Sequence, residues 1–209
     1  MDFSWRHFRD DEWWRKIPLW KDVDYKTFID HKWQEKNAIT NHKKLLKTIQ
    51  ELVTQGFLED AKDGFLRAPM AIRVSPYLLS LMSWETPDTC PIRRQFLPLA
   101  SQLQPDHPML RFDSLNEQKD SPVKGLTHRY QDKVLFLALD TCPVYCRFCT
   151  RAYAVGSSTA TAEKVSIKAS KERWTDIFKY LREHKEVEDV VISGGDAYRL
   201  KASQIKEIG

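Results

Sequence analysis

Two periodicities divide the chain. Up to about residue 110, apolar residues recur at the spacing of one helix face, as in Leu45, Leu46, Ile49, Leu52 and Val53, which predicts packed helices. A further apolar run over 76–84 is closed by Pro87 and Pro91, which break helices. Between Arg111 and Lys124 the composition turns polar, as RFDSLNEQKDSPVK, and this stretch is read as a connector. The period then changes. VLFLAL at 134–139 is a continuous apolar run with polar flanks, which suits a strand covered on both faces. Ser170 stands where it can cap a helix whose Trp174, Ile177, Phe178 and Leu181 follow i, i+3, i+4, i+7 spacing. A second strand is expected over 187–192, ending in Ser193-Gly194-Gly195-Asp196, and another helix from about Ala202.

Strand, loop, helix, strand, helix is the opening of a parallel α/β array, in which loops at the C-terminal ends of strands carry the chemistry. The expected organisation is a mainly helical region over 1–110, a connector over 111–124, and the start of an α/β barrel domain over 125–209. Two strands cannot close a barrel, so the chain is expected to be the N-terminal part of a longer enzyme.

Composition narrows the class. With 209 residues, 42% of them hydrophobic, and seven Trp, seven Tyr and ten Phe, the chain can fill a substantial core and is not a disordered segment. Its 33 basic and 29 acidic residues are interleaved, leaving a net charge of +4, which gives nucleic-acid binding no support. No run approaches the ~20 apolar residues that cross a bilayer. The first residues, MDFSWRHFRDDEWW, hold neither an apolar signal core nor the acid-poor pattern of a transit peptide, so a cytoplasmic protein is expected.

Four cysteines could form two disulfides, but Cys142, Cys146 and Cys149 fall within eight residues, which points to metal or redox chemistry in a reducing compartment. Their spacing is C-x3-C-x2-C, directly after the first expected strand. A four-iron cluster held by three cysteine thiolates keeps one iron without a protein ligand. S-Adenosylmethionine can fill that position with its amino and carboxylate groups, bringing its sulfonium near enough for reductive cleavage to an adenosyl radical. Three alternatives stay open: structural zinc with Cys90 or a histidine as fourth ligand, a ferredoxin-type cluster lacking a nearby fourth cysteine, and inert buried thiols. Cys90, in TCPIRR, reads as a structural thiol.

The Ser193-Gly194-Gly195-Asp196 loop, one βα unit later, would open on the same mouth of the sheet. Its glycines let backbone approach a ligand and Asp196 supplies an acceptor; an ordinary tight turn is the alternative. Arg151 would project from the cysteine loop and could fork onto a carboxylate, or be solvated. Arg129 and Lys133, just before the first expected strand, could bind phosphate, or be surface charges.

The stretches SPVKGLTHRYQDKVLFLALDTCPVYCRFCTRAYAVG at 121–156 and DVVISGGDAYRL at 189–200, with IRVSPYLLSLM and TCPIRRQFLP upstream, resemble the lysine 2,3-aminomutases and their radical S-adenosylmethionine relatives. The resemblance covers about residue 72 to the end, with a weaker hint in KWQEKNAI. It implies a partial (β/α)6 barrel using a [4Fe-4S] cluster, S-adenosylmethionine and pyridoxal phosphate to convert L-lysine to L-β-lysine through an adenosyl radical and a substrate aldimine. By position it places the cluster on Cys142, Cys146 and Cys149, adenine by Phe148, the methionine part along Ser193, Gly194, Gly195 and Asp196, the substrate carboxylate on Arg151, and the cofactor phosphate on Arg129 and Lys133. It also implies an electron donor such as flavodoxin or ferredoxin, and a homo-oligomer. The family's CTRRRFAG is CTRAYAVG here, so two basic positions are Ala152 and Tyr153, and glutamate is a rival substrate. The pyridoxal lysine is expected beyond Gly209, which makes this chain inactive alone. Other readings kept open are a different radical enzyme, a non-catalytic iron-sulfur or zinc module, and a truncated remnant.

Overall fold

The computed structural model describes residues 12–209; residues 1–11, where the expected helical region begins, lie outside the described part. The N-terminal layer is a set of short helices, α1 (Tyr25–Ile29), α2 (His31–Lys36), α3 (His42–Ile49), α4 (Gln55–Arg67), α5 (Pro76–Ser80) and α6 (Pro91–Phe96). Short helices need their first N–H groups satisfied by side chains. Asp24, Asp30, Asn41, Thr54 and Ser75 each accept one or more of those bonds. Leu45 and Ile49 on α3 enter a core with Trp14, Phe28, Phe57, Val74 and Leu97. Leu52 and Val53 pack against it from the turn after α3 rather than from the helix itself.

Arg93 is fully buried in this layer. Its guanidinium donates to the carbonyls of Pro87, Asp88 and Leu97 and to Gln102 Oε1, at 2.6 to 3.1 Å. Carbonyls replace the carboxylate that a buried guanidinium ordinarily seeks, and burial lowers its pKa. The result is a folded-back loop that fixes α6 in place.

The second part is a mixed three-stranded sheet in the order β1 (Leu126–Tyr130), β2 (Lys133–Leu139), β3 (Asp189–Gly194). β1 is antiparallel to β2 and β3 is parallel to it. The strand β1 escapes the sequence reading, and Arg129 and Lys133 consequently lie in β1 and at the start of β2, not ahead of the sheet. LTHRY carries little apolar pattern because it is an edge strand, and the two residues between paired Tyr130 and Lys133 are Gln-Asp, not the Asn-Gly or Asp-Gly that marks a hairpin.

Helix α7 (Lys171–Glu183) is the crossover between β2 and β3, capped by Ser170, whose hydroxyl accepts from the Arg173 N–H at 3.2 Å. Alternation along β2 sends Val134, Phe136 and Ala138 to α7, where they meet Trp174 and Ile177. Leu135 and Leu137 face the other way, onto Tyr153, Ala154 and Ile167. β2 is thus covered on both faces, as its unbroken apolar run requires. The last helix is α8 (Ala202–Ile208). No helix among the described residues is long and apolar enough to cross a membrane.

Trp174 is 1% exposed and its indole N–H donates to the Ala138 carbonyl at 3.1 Å. Trp174→Ala is expected to destabilise the chain by about 3–5 kcal/mol through the cavity and the lost bond, read as a lowered denaturant midpoint with unchanged slope.

Candidate functional site

β2 delivers the chain to the cysteine loop, whose base is closed by the Gly156 N–H donating to the Asp140 carbonyl at 2.8 Å. The loop is then tied to the helical layer. The Tyr145 N–H donates to the Arg73 carbonyl at 2.9 Å and the Arg147 N–H to the Gln95 carbonyl at 2.8 Å. Two side chains add to this: Arg147 Nη1 donates to the Arg94 carbonyl at 2.9 Å and Arg73 Nε to the Pro143 carbonyl at 3.2 Å. Cys142 and Cys149 pack against a small cluster of Met70, Tyr145, Ala152 and Val155.

All three loop thiols are free and half-buried. Burial, followed by the neighbouring Cys149, Asp196 and Cys146, pushes the Cys142 thiol up to about 12. Burial and then Cys149 raise Cys146 as well. Three thiols that feel one another in a part-buried loop need a cationic centre to become thiolates together. A four-iron cube supplies one and takes each thiolate on a different iron, so the donor set fits it. Among the described residues no three His, Cys, Asp or Glu side chains are arranged to hold a single metal ion. Cys90 is occupied elsewhere: its Sγ accepts from the N–H groups of Ser83 and Arg93 at the start of α6.

Metal loading of these thiols must expel protons, so the apparent affinity rises with pH. Chelator competition with iron or zinc over about pH 6.5 to 8.5 is expected to show that rise. A flat profile would mean that these thiols are not the ligands.

The Ser-Gly-Gly-Asp loop lies against the cysteine loop because β3 is parallel to β2. The Gly195 N–H donates to the Leu139 carbonyl at 2.7 Å and the Asp196 N–H to the Thr141 carbonyl at 3.0 Å. Gly194 has φ +126°, and a Cβ there would sit 2.2 Å from the Leu139 oxygen; at Gly195 it would sit 2.4 Å from the Thr141 oxygen. The glycines are demanded by the closeness of the two strand ends. The Asp196 carboxylate accepts from the Tyr198 N–H at 3.0 Å and is near enough to Cys142 to raise its pKa.

Phe148 is 65% exposed at the outer side of the loop. With Cys149, Arg147, Arg111 and Phe112 it lines a cavity of about 740 Å³. Lys164 donates to the carbonyls of Pro69 and Ala152 and lies over the Phe112 ring. Burial lowers its pKa to about 8.

Arg151 has a carboxylate partner already. Its Nε lies 3.1 and 3.2 Å from the two oxygens of Glu117, its Nη2 lies 3.0 Å from Oε1, and its Nη1 is 3.4 Å from the Ser193 hydroxyl. The Tyr153 hydroxyl donates to Glu117 Oε2 at 2.9 Å. Glu117 is a buried carboxylate within the polar stretch read as a connector. No local pattern in RFDSLNEQKD marks it, since its burial comes from residues 34 and 36 positions further along the chain.

Arg129 and Lys133 share a cavity of about 210 Å³ with Glu117, Thr127 and Val191. Arg129 donates to Asp120 at 2.7 Å and to the Leu115 and Asn116 carbonyls; Lys133 is 3.4 Å from Asp132. This cavity runs along the N-terminal half of β2, and Glu117, the partner of Arg151, forms part of its lining. The structure therefore brings together the cysteines with residues 193–196 and Arg151, and Arg129 with Lys133, and Glu117 stands between the two groups.

No protein-family model matches the chain. Among curated proteins it is 37% identical over 185 residues to the L-lysine 2,3-aminomutase of Bacillus subtilis, covering 88% of this chain and 36% of that protein. It is 36% identical over 185 residues to the L-lysine 2,3-aminomutase of Clostridium subterminale, covering 88% of this chain and 41% of that protein. It is also 33% identical over 187 residues to the glutamate 2,3-aminomutase of Clostridioides difficile, with 86% and 41% covered. The chain spans about two-fifths of the length of these relatives. Agreement at this level, sustained over most of this chain, makes it similar to a part of the lysine and glutamate 2,3-aminomutases, which are isomerases.

Proposed function

We propose that the protein carrying this chain is a radical amino acid 2,3-aminomutase acting on L-lysine, with Cys142, Cys146 and Cys149 holding a [4Fe-4S] cluster. The observation that carries this reading is the cysteine triplet at the end of β2, joined by backbone bonds to the Ser-Gly-Gly-Asp end of the parallel neighbour β3. Two strand ends meeting at one mouth are where an α/β protein places its ligand. The names of the relatives support the reaction class.

The cluster, S-adenosylmethionine and pyridoxal phosphate would supply the radical and the electron sink that side chains lack. The chain's own residues bind and orient. Three thiolates fix the cluster, and Ser193, Gly194, Gly195 and Asp196 border the methionine part of S-adenosylmethionine. Phe148 offers an exposed ring against adenine. Arg151 holds the substrate carboxylate, and Arg129 and Lys133, sharing one cavity, hold phosphate. The sheet is the start of a partial (β/α)6 barrel over 125–209, preceded by the helical region over 1–110 and the connector over 111–124. A flavodoxin- or ferredoxin-like donor delivers electrons, in the cytoplasm, to a homo-oligomer.

The test is anaerobic reconstitution with iron and sulfide. An EPR signal of the reduced sample that changes on adding S-adenosylmethionine supports the reading; tight zinc with no such response sinks it. Supplying L-lysine and L-glutamate in parallel and analysing for the β-amino acid decides the substrate.

A further inference from the structure

We propose that Glu117 is a positioning residue which, with Tyr153, locks Arg151 so that only its end-on edge is offered to a ligand carboxylate; the ligand half of this inference rests on the aminomutase reading above. A guanidinium has two edges that match a carboxylate, the Nε/Nη2 side and the Nη1/Nη2 end. Glu117 occupies the first, with Nε at 3.1 and 3.2 Å and Nη2 at 3.0 Å. The second is left facing Ser193, whose hydroxyl is 3.4 Å from Nη1. The carboxylate itself is held: the Tyr153 hydroxyl donates to Oε2 at 2.9 Å, and the Glu117 backbone N–H donates to Asp113 at 3.0 Å.

Burial makes the arrangement directional. The Glu117 side chain is 4% exposed and that of Arg151 22%, so the pair is anchored at the carboxylate and open at the guanidinium. The pair is close to neutral as a whole. An incoming anion is therefore recognised by directed N–H donors at a fixed place beside the end of β3, and not by a net positive field. Tyr153 stands where the resembling family's pattern has a basic residue. In this chain it adds a donor to Glu117 without adding a charge.

The test uses the 15N-labelled 209-residue chain and the Arg151 Nε–H resonance, assigned by its loss in Arg151→Lys. In the wild type this proton is expected to exchange slowly and to shift with added L-lysine but not with L-lysinamide, which lacks the carboxylate. Glu117→Gln should speed its exchange and weaken the response to L-lysine, each by about 10-fold, while the Trp174 indole N–H signal reports an intact fold. Tyr153→Phe keeps the ion pair and should weaken the response about 2- to 3-fold; it decides the matter if Glu117→Gln does not fold. Unaltered exchange and an unaltered L-lysine response in these variants overturn the positioning role. A wild-type Arg151 that is protected yet silent to L-lysine overturns the carboxylate role. Cluster assembly and its response to S-adenosylmethionine are read by EPR on the same protein, so failure of the aminomutase reading is told apart from failure of this one.

Discussion

After anaerobic reconstitution, Cys146→Ala is expected to hold almost none of the roughly four irons per chain that a cube requires, and to give no EPR change with S-adenosylmethionine. The residue is central in the triplet, so its loss leaves two thiols, of which Cys142 is kept by burial from ionising easily. Two thiolates cannot supply the three corners that the proposed site provides. The fold should persist, because Cys146 takes no part in the cores around Trp174 or Phe28. Retention of iron and sulfide by the variant, with the spectrum of the wild type, would move the cluster away from this loop.

Gly194→Ala is expected to be the most damaging single substitution in the sheet. The added Cβ would stand 2.2 Å from the Leu139 oxygen and 2.9 Å from the Leu139 nitrogen, at φ +126°. Backbone cannot move aside like a flexible side chain, so β3 must separate from β2 near the bond between the Gly195 N–H and the Leu139 carbonyl. The cost, strain in the backbone plus loss of strand-end pairing, is put at above about 3 kcal/mol. A denaturant midpoint within error of the wild type would show that the strand ends can part without penalty. Because Leu139 leads directly into the cysteine loop, the same variant should also reconstitute poorly, which ties a stability defect to a binding defect.

How much could be read without coordinates depended on whether the signal was local. β2 and α7 were legible since each is decided by its own residues: an unbroken apolar run, and a hydroxyl cap followed by Trp174 and Ile177 at helical spacing. β3 was found two residues early, at 187–192 against Asp189–Gly194. Gly194 looks like part of a turn in sequence, yet it is the last residue of the strand where it presses on β2. β1 went unseen because its partner across the Gln-Asp turn, not its own pattern, makes it a strand. The cysteine triplet stood out as a candidate site by its spacing. The Arg151 partnership did not: one acid among three in a polar stretch gives no sign that the chain will fold it beneath Tyr153. The stretch 111–124 is for the same reason more than a connector.

The cysteine loop is suspended between two separately built cores, and what holds it on the far side is main chain: the carbonyls of Arg73, Arg94 and Gln95. Changing the side chain of Arg73 or Arg147 removes a single tie, whereas displacing α6 as a body strains several at once. Thiol labelling should consequently act as a local thermometer, with reagents reaching Cys142 as α6 loosens and before Trp174 loses its environment. An oxygen-labile sulfur centre in such a protein would age from its helical flank inward.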